Sequence, residues 1–311
     1  MSRPSETDES LHSPSGRPDW RESYYFNFVD SGLNVSGFST IGLLPNVGKR
    51  EFVFVLFHDG KREVYFVEPT GAVPKGHAES LSDGHLSYEL ISPLHEWRIS
   101  FAGVDMTAEL KWKARYPAYM FGTGSGTSWT GHFEQSGRVT GTIELAKGGP
   151  IKLKGLGERD KSWGTRDWHI EGWFALHAQF ETFSIGLRRD MVKGEAHSSG
   201  GISSARKHVP VTDVELQTGF SRGESRMPIK AKTRVHGADG SCYTLQSKMI
   251  SPSAFVRFSR PFPGGTTELY ENMAVHKCQE SGETGSGLLE WLFTHPETQG
   301  PAADQKTRPA P

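Results

Sequence analysis

Phe52–Val67 reads FVFVLFHDGKREVYFV. Two short apolar runs, rich in β-branched and aromatic side chains, flank His58-Asp59-Gly60-Lys61. Asp-Gly supplies the positive φ that a tight turn needs, so the stretch predicts two antiparallel strands joined as a hairpin. Working outward, Arg234–His236 and Cys242–Leu245 flank Gly237–Gly240 and predict a second hairpin. Leu86–Leu90 and Trp97–Phe101 alternate apolar with polar residues, as half-buried strands do. Long segments with a 3.6-residue period are absent. With 36 glycines in 311 residues and only 35% hydrophobic content, the composition favours short strands linked by glycine turns over a helical bundle. The fold class is all-β.

Length allows two modest domains or one large β domain. Residues 1–19 and 298–311 are polar and rich in Ser, Pro and charged groups; they predict disordered tails, because they cannot bury enough surface to offset the entropy of ordering. Gly122–Ser128 (GTGSGTS) is the best linker candidate. It divides the chain into a barrel at 20–121 and another at 129–297, each large enough to close and so remove exposed strand edges.

A net charge of −1 and a pI near 6.9, with no lysine–arginine stripe along the chain, argue against a nucleic-acid partner. Cys242 and Cys278 form neither a disulfide framework nor a zinc spacing, and buried free thiols in a reducing compartment are expected. No apolar run reaches the roughly 20 residues that span a bilayer, and the N-terminus lacks the apolar core of a signal peptide. The expectation is a soluble cytoplasmic protein; its oligomeric state stays open.

Gly155–Trp168 reads GLGERDKSWGTRDW. Two Arg-Asp pairs and two tryptophans alternate within one glycine-punctuated segment, a density that suits an interface or cavity wall better than a solvated surface. The segment resembles the signature of the hydroxyneurosporene synthase-like (carotenoid hydratase-like) family, especially its uncharacterised bacterial members. Tyr24–Asp30, Gly42–Asn46, His132–Gln135 and Gly285–Trp291 are similar to the same group. The resemblance implies two tandem lipocalin-like antiparallel β-barrels, in a family that includes fungal decalin-forming Diels-Alderases and survival-factor-like lipid-binding proteins. Where the family carries a His proposed as catalytic in the hydratases, this chain carries Lys161.

Two readings of the signature stay open. In the catalytic one, Asp160 is a carboxylic acid in an aromatic pocket, raised in pKa by desolvation. Trp163 and Trp168 would be the cation-facing walls, and Lys161 occupies the family's catalytic position. In the structural one, Arg159 and Arg166 pair with Asp160 and Asp167, stack on the tryptophans and lock the barrels together. In an extended strand from Trp173 to Phe180, Trp173, Ala175, His177 and Gln179 share one face, while Phe174, Leu176, Ala178 and Phe180 share the other. The second set is the core face, and Trp173 and His177 on the first are candidates for cavity lining. Glu134, Glu271 and Glu290 are further ligand-side candidates, with the solvent face of an alternating strand as the alternative.

Gly155-Leu156-Gly157 lacks the third glycine and the helix of a dinucleotide fingerprint. No His-x-His or His-x-x-x-His spacing offers a metal site, and no cofactor is expected. The sequence therefore predicts a protein that binds a hydrophobic small molecule such as an isoprenoid, polyene, steroid or polyketide. It would catalyse a cofactor-free hydration, isomerisation or cyclisation; the alternative is a non-catalytic carrier of such molecules.

Overall fold

The computed structural model describes residues 3–121, 129–166, 170–222 and 227–296. Strand makes up 68% and helix 4% of it, so the all-β reading holds. In chain order the strands are β1 Trp20–Asp30, β2 Val35–Leu44, β3 Lys49–His58, β4 Lys61–Val67, β5 Leu86–Ser92, β6 Glu96–Ala102, β7 Met106–Ala114, β8 Tyr119–Met120, β9 Gly131–Leu145 and β10 Ile151–Thr165. They continue with β11 Gly172–Gln179, β12 Phe183–Val192, β13 Glu195–Ser204, β14 His208–Phe220, β15 Pro228–Gly237, β16 Cys242–Met249, β17 Phe255–Phe262, β18 Gly265–Cys278 and β19 Thr284–Pro296.

The first ten strands form one antiparallel sheet in the order β4-β3-β2-β1-β10-β9-β7-β6-β5, with β8 added alongside β9. It curls without pairing β4 to β5. The remaining nine form a second sheet, in which β16 pairs with β18 and closes eight strands into a barrel, leaving β17 outside the ring. Both hairpins read from the sequence are present. The turn at Asp59-Gly60 has φ of 47° and 73°, the left-handed backbone that Asp-Gly accommodates.

Each sheet holds its own apolar core. The first includes Phe26, Phe54, Trp97 and Trp112; the second includes Phe174, Leu187, Leu289 and Trp291. A third cluster joins the sheets, with Tyr25, Phe38 and Val55 packed towards Val256, Met273 and Leu288. Burial patterns report this junction. β7 alternates buried and exposed residues, as a wall with water outside should, whereas all 11 residues of β1 are buried. A strand buried on both faces loses its alternation, and β1 is covered by the first core on one side and the second sheet on the other.

Three sequence expectations change. The signature, assigned to the second unit, lies in β10 of the first sheet, paired with β1 and β9. Tyr119 and Met120 pair with Glu134 and Phe133, so strands on either side of 122–128 belong to the same sheet. The change of sheet instead falls between Thr165 and Gly172. Residues 122–128 themselves, like the C-terminal tail, lie outside the described residues. The N-terminal segment, expected to be disordered, is ordered from residue 3. Its Glu9 is fully buried against Arg159, and Leu11 packs on the first core. Charge pairing through Glu9 holds it together with the Leu11 contact, and a hydrophobicity argument alone does not register the buried ion pair. Both cysteines are free thiols, with Cys278 buried. No helix among the described residues is long and apolar enough to cross a membrane.

Candidate functional site

The signature strand β10 sends alternate side chains to opposite sides of the first sheet. Glu158, Asp160 and Ser162 face the second sheet, while Arg159, Lys161 and Trp163 face inward. In register, Tyr25, Asp160 and Glu134 form one row across β1, β10 and β9, and Ser23, Ser162 and His132 form the next. Opposite them, β11 presents Trp173 and His177, β12 presents Arg188, and Glu271 lies directly across from Glu290 on β18 and β19. Between these walls runs a cavity of about 150 Å³. A deeper recess of about 50 Å³ shares Tyr25, His132, Asp160, Arg188 and Glu290 with it.

Six carboxyl groups line this space: Glu51, Glu134, Glu158, Asp160, Glu271 and Glu290. Burial would raise Glu51, but Arg21, Arg260 and Lys49 hold it at about 2; burial dominates the chemistry of the other five. It pushes the Asp160 carboxyl up to about 7; Arg166 and Arg188 pull it down, while Glu290 adds to the rise. Burial also pushes Glu158 up to about 8, with the Asp160 charge adding to it. Glu134 is raised far above the usual range by burial and then by Glu158, and Glu271 by burial and then by Glu290. Glu290 is raised by burial against the pull of Arg188, and it accepts a hydrogen bond from Trp173 Nε1. Desolvation therefore outweighs the nearby arginines, and these five groups favour their protonated, neutral forms.

The histidines are pushed the other way. Burial holds His177 down at about 3 and His132 well below its ordinary value, with Arg188 and Arg166 adding to the depression. His132 packs between Phe121 and Trp129, and neither of its ring nitrogens makes a hydrogen bond within the described protein. Its Nε2 lies 3.7 Å from Glu134 and 3.9 Å from Asp160. The Arg188 guanidinium sits 4.3 Å from the Trp129 ring centroid and 3.9 Å from that of Trp173, and donates to Asp190 at 2.6 Å. Both indole faces are thus occupied by a cation already in the protein.

Glu134, Glu158 and His177 bring their ligand-type atoms within 4.8 Å of one another. That grouping could hold a cation, though no sequence spacing announced it, because the three come from β9, β10 and β11. Existing partners restrain it. Tyr119 Oη donates to Glu134 at 3.1 Å, Asn27 Nδ2 donates to Glu158 at 3.0 Å, and His177 Nε2 lies 3.0 Å from Ser136 Oγ.

The inward half of the signature has another occupation. Arg159 forks onto Glu9 at 2.7 and 2.8 Å and donates to Gln135 at 2.8 and 3.0 Å. Lys161 pairs with Glu22 at 2.7 Å and donates to the Asp8 carbonyl at 2.8 Å and to that of Ser10. The ring of His12 stacks on Trp163 at 3.8 Å. The expectation that Lys161 and Trp163 flank Asp160 in one pocket is corrected: neighbours along a strand point to opposite faces. In the structural reading, which pairs Arg159 and Arg166 with Asp160 and Asp167, Arg159 turns away from Asp160 for the same reason, while the Arg166 charge acts on Asp160. Arg166 donates to Ser162 and lines the cavity. Asp167 and Trp168 lie outside the described residues.

Of the sequence candidates, Asp160, Glu134, Glu271, Glu290, Trp173 and His177 come together in this space. Glu158, His132, Arg188, Trp129 and Tyr25 were missed. Glu158 was the most accessible, since it lies two residues from Asp160 and must share its face.

Fold and site together define a class: an all-β protein whose curled sheet and closed barrel enclose a carboxyl-lined cavity between them. The chain belongs to the family described as a domain of unknown function, DUF7064, whose model matches residues 5–295. No curated protein sequence matches it. Similar solved structures include kievitone hydratase from Nectria haematococca, with 12% identity, TM-score 0.65, 94% of this chain covered and 93% of that one. CghA with Sch210972 is similar at 10% identity and TM-score 0.62, covering 91% of this chain and 93% of that one. An AttH-type protein from Nitrosomonas europaea is similar at 16% identity and TM-score 0.66, covering 91% and 96%. Likeness at these identities is a likeness of fold.

Proposed function

We propose that the protein binds a hydrophobic small molecule in the cavity between its sheets and catalyses a cofactor-free hydration, isomerisation or cyclisation. An isoprenoid, polyene, steroid or polyketide is larger than the cavity of about 150 Å³ and would place only its reacting end there, and Asp160 would be the acid. The observation that carries this reading is the Asp160 carboxyl itself, half-buried, lining the cavity and pushed up to about 7 by desolvation. Such a group still holds a proton near neutrality and can give it to an alkene or enol. On an alkene the carboxyl proton forms a C–H bond using the π electrons, and positive charge develops on the neighbouring carbon beside the new carboxylate. Water adds there and returns one proton to Asp160, or a second alkene of the same molecule closes a ring and a C–H proton returns instead. His132, whose nitrogens make no hydrogen bond among the described residues, offers a hydrogen bond to a polar substrate atom. Kievitone hydratase, whose fold is similar, is by name a hydratase.

The test begins with mass spectrometry of small molecules extracted from the purified protein, followed by incubation of the recovered ligand with fresh protein in ¹⁸O-labelled water. Incorporated label identifies hydration, and a product of unchanged mass identifies isomerisation or cyclisation. Asp160→Asn should slow either by roughly 100-fold, the usual contribution of a positioned acid. A ligand recovered unaltered with wild-type protein would instead mark a carrier.

A further inference from the structure

The outer wall of the closed barrel carries a charge pattern that the linear sequence hides. Lys230, Lys232, Lys248 and Lys277 surround a surface trough of about 700 Å³ that no carboxylate among the described residues lines. All four are exposed, and none makes an ion pair with another described residue. They come from three adjacent strands. Lys232, Gln246 and Lys277 form one row across β15, β16 and β18, and Lys230 lies directly opposite Lys248 in another. Like charges placed opposite one another in a sheet are destabilising, so this arrangement calls for a counter-charge from outside.

The positive track continues across the junction. A second trough shares Val275 and Thr284 with the first and adds Arg138 and Lys154 from the other sheet. Its carboxylates are Asp30, engaged by backbone N–H groups of Gly32, Leu33 and Lys154, and the exposed Glu181, set against Arg115, Arg138 and Lys154. In a chain of net charge −1, this is a local segregation of charge.

We propose that this face docks on an anionic lipid surface. A track covering two troughs on two sheets is wider than one oxyanion, which favours a charged plane over a free phosphate. Apart from His276, no described residue lining the first trough offers an aromatic ring on which nucleic-acid bases could stack, unlike single-strand binders. Each lysine near such a surface is worth about a fivefold change in partitioning. The inference is independent of the catalytic reading.

The experiment is co-sedimentation of the full chain with vesicles of equimolar phosphatidylglycerol and phosphatidylcholine, against phosphatidylcholine alone. Binding to the anionic vesicles only, weakening at high salt, is expected. Lys232→Gln/Lys248→Gln should bind about 25-fold more weakly, while Lys61→Gln on β4 should match wild type; unchanged circular dichroism and thermal midpoint show that the variants are folded. Absence of binding to anionic vesicles, equal binding to neutral ones, or a double variant that matches wild type would each overturn the proposal. So would complete competition by millimolar inorganic phosphate, which marks a discrete oxyanion pocket, or tighter binding to duplex DNA than to the vesicles.

Discussion

Asp160 and Lys161 are neighbours in the chain and strangers in the fold. Asp160 faces a cavity where burial overrides its arginines, while Lys161 is clamped by Glu22 and the carbonyls of Asp8 and Ser10. Substitutions should separate the two. Because a protonated acid and an amide have the same shape and both can donate a hydrogen bond, Asp160→Asn should leave the thermal midpoint nearly unchanged while turnover falls. Lys161→Met should do the reverse: it leaves the buried Glu22 without its cation and lowers stability by about 3 to 5 kcal/mol, read from urea denaturation. A Lys161→Met protein as stable as wild type would show that the clamp contributes little.

At the scale of elements, β10 is a two-sided strand with the N-terminal segment on one face and the cavity on the other. The segment is held through the buried fork of Arg159 on Glu9. Glu9→Ala should therefore cost about 3 to 5 kcal/mol, by stranding a buried guanidinium, and should make residues 3–19 the first site of limited proteolysis; persistent protection there would refute it. Between the sheets, Gly186 on β12 faces Tyr119 and Glu134. A Cβ added at Gly186 would lie 2.0 Å from Tyr119 Oη and 2.6 Å from Glu134 Oε2. Gly186→Ala should push both side chains aside, so ligand affinity should fall even if the barrel stays folded. Equal affinity by titration calorimetry would argue that the recess is not used.

For the whole molecule, the buried ionisable groups set a pH profile. Asp160 and Glu158 have folded-state pKa values raised to about 7 and 8; the unfolded chain releases their protons earlier, so their contribution declines as pH rises towards 8. His177 and His276, both held at about 3, act in the opposite sense: they favour the fold above their unfolded value and lose that contribution as pH falls below it. The two trends oppose each other between about pH 4 and 6.5. Above that window only the carboxyls remain, and the thermal midpoint should fall between about pH 6.5 and 8. Glu158→Gln should flatten that fall, and an identical slope in wild type and variant would remove Glu158 as a cause. Glu51 works at the acid end. Burial would raise it, but Arg21, Arg260 and Lys49 together hold it at about 2, so its contribution is lost only as pH falls from its unfolded value towards 2.

Local signals in the sequence determined the strands. Asp59-Gly60 needs its left-handed turn wherever it lies, and Phe174, Leu176, Ala178 and Phe180 follow from a two-residue period that the β11 backbone imposes. The same period already required Glu158 to share a face with Asp160 and required Lys161 to oppose it. Tertiary structure alone decided which sheet owns β10, because strand pairing is a contact between distant segments that leaves no mark on either one alone. It also decided which alternating polar residues meet water and which meet the second sheet. Glu134, Glu271 and Glu290 look like solvent-facing carboxylates in the sequence; only the packing of two sheets removes the water and raises their pKa values. The lysines of β15, β16 and β18 show the converse, being scattered along the chain and gathered into one face by register.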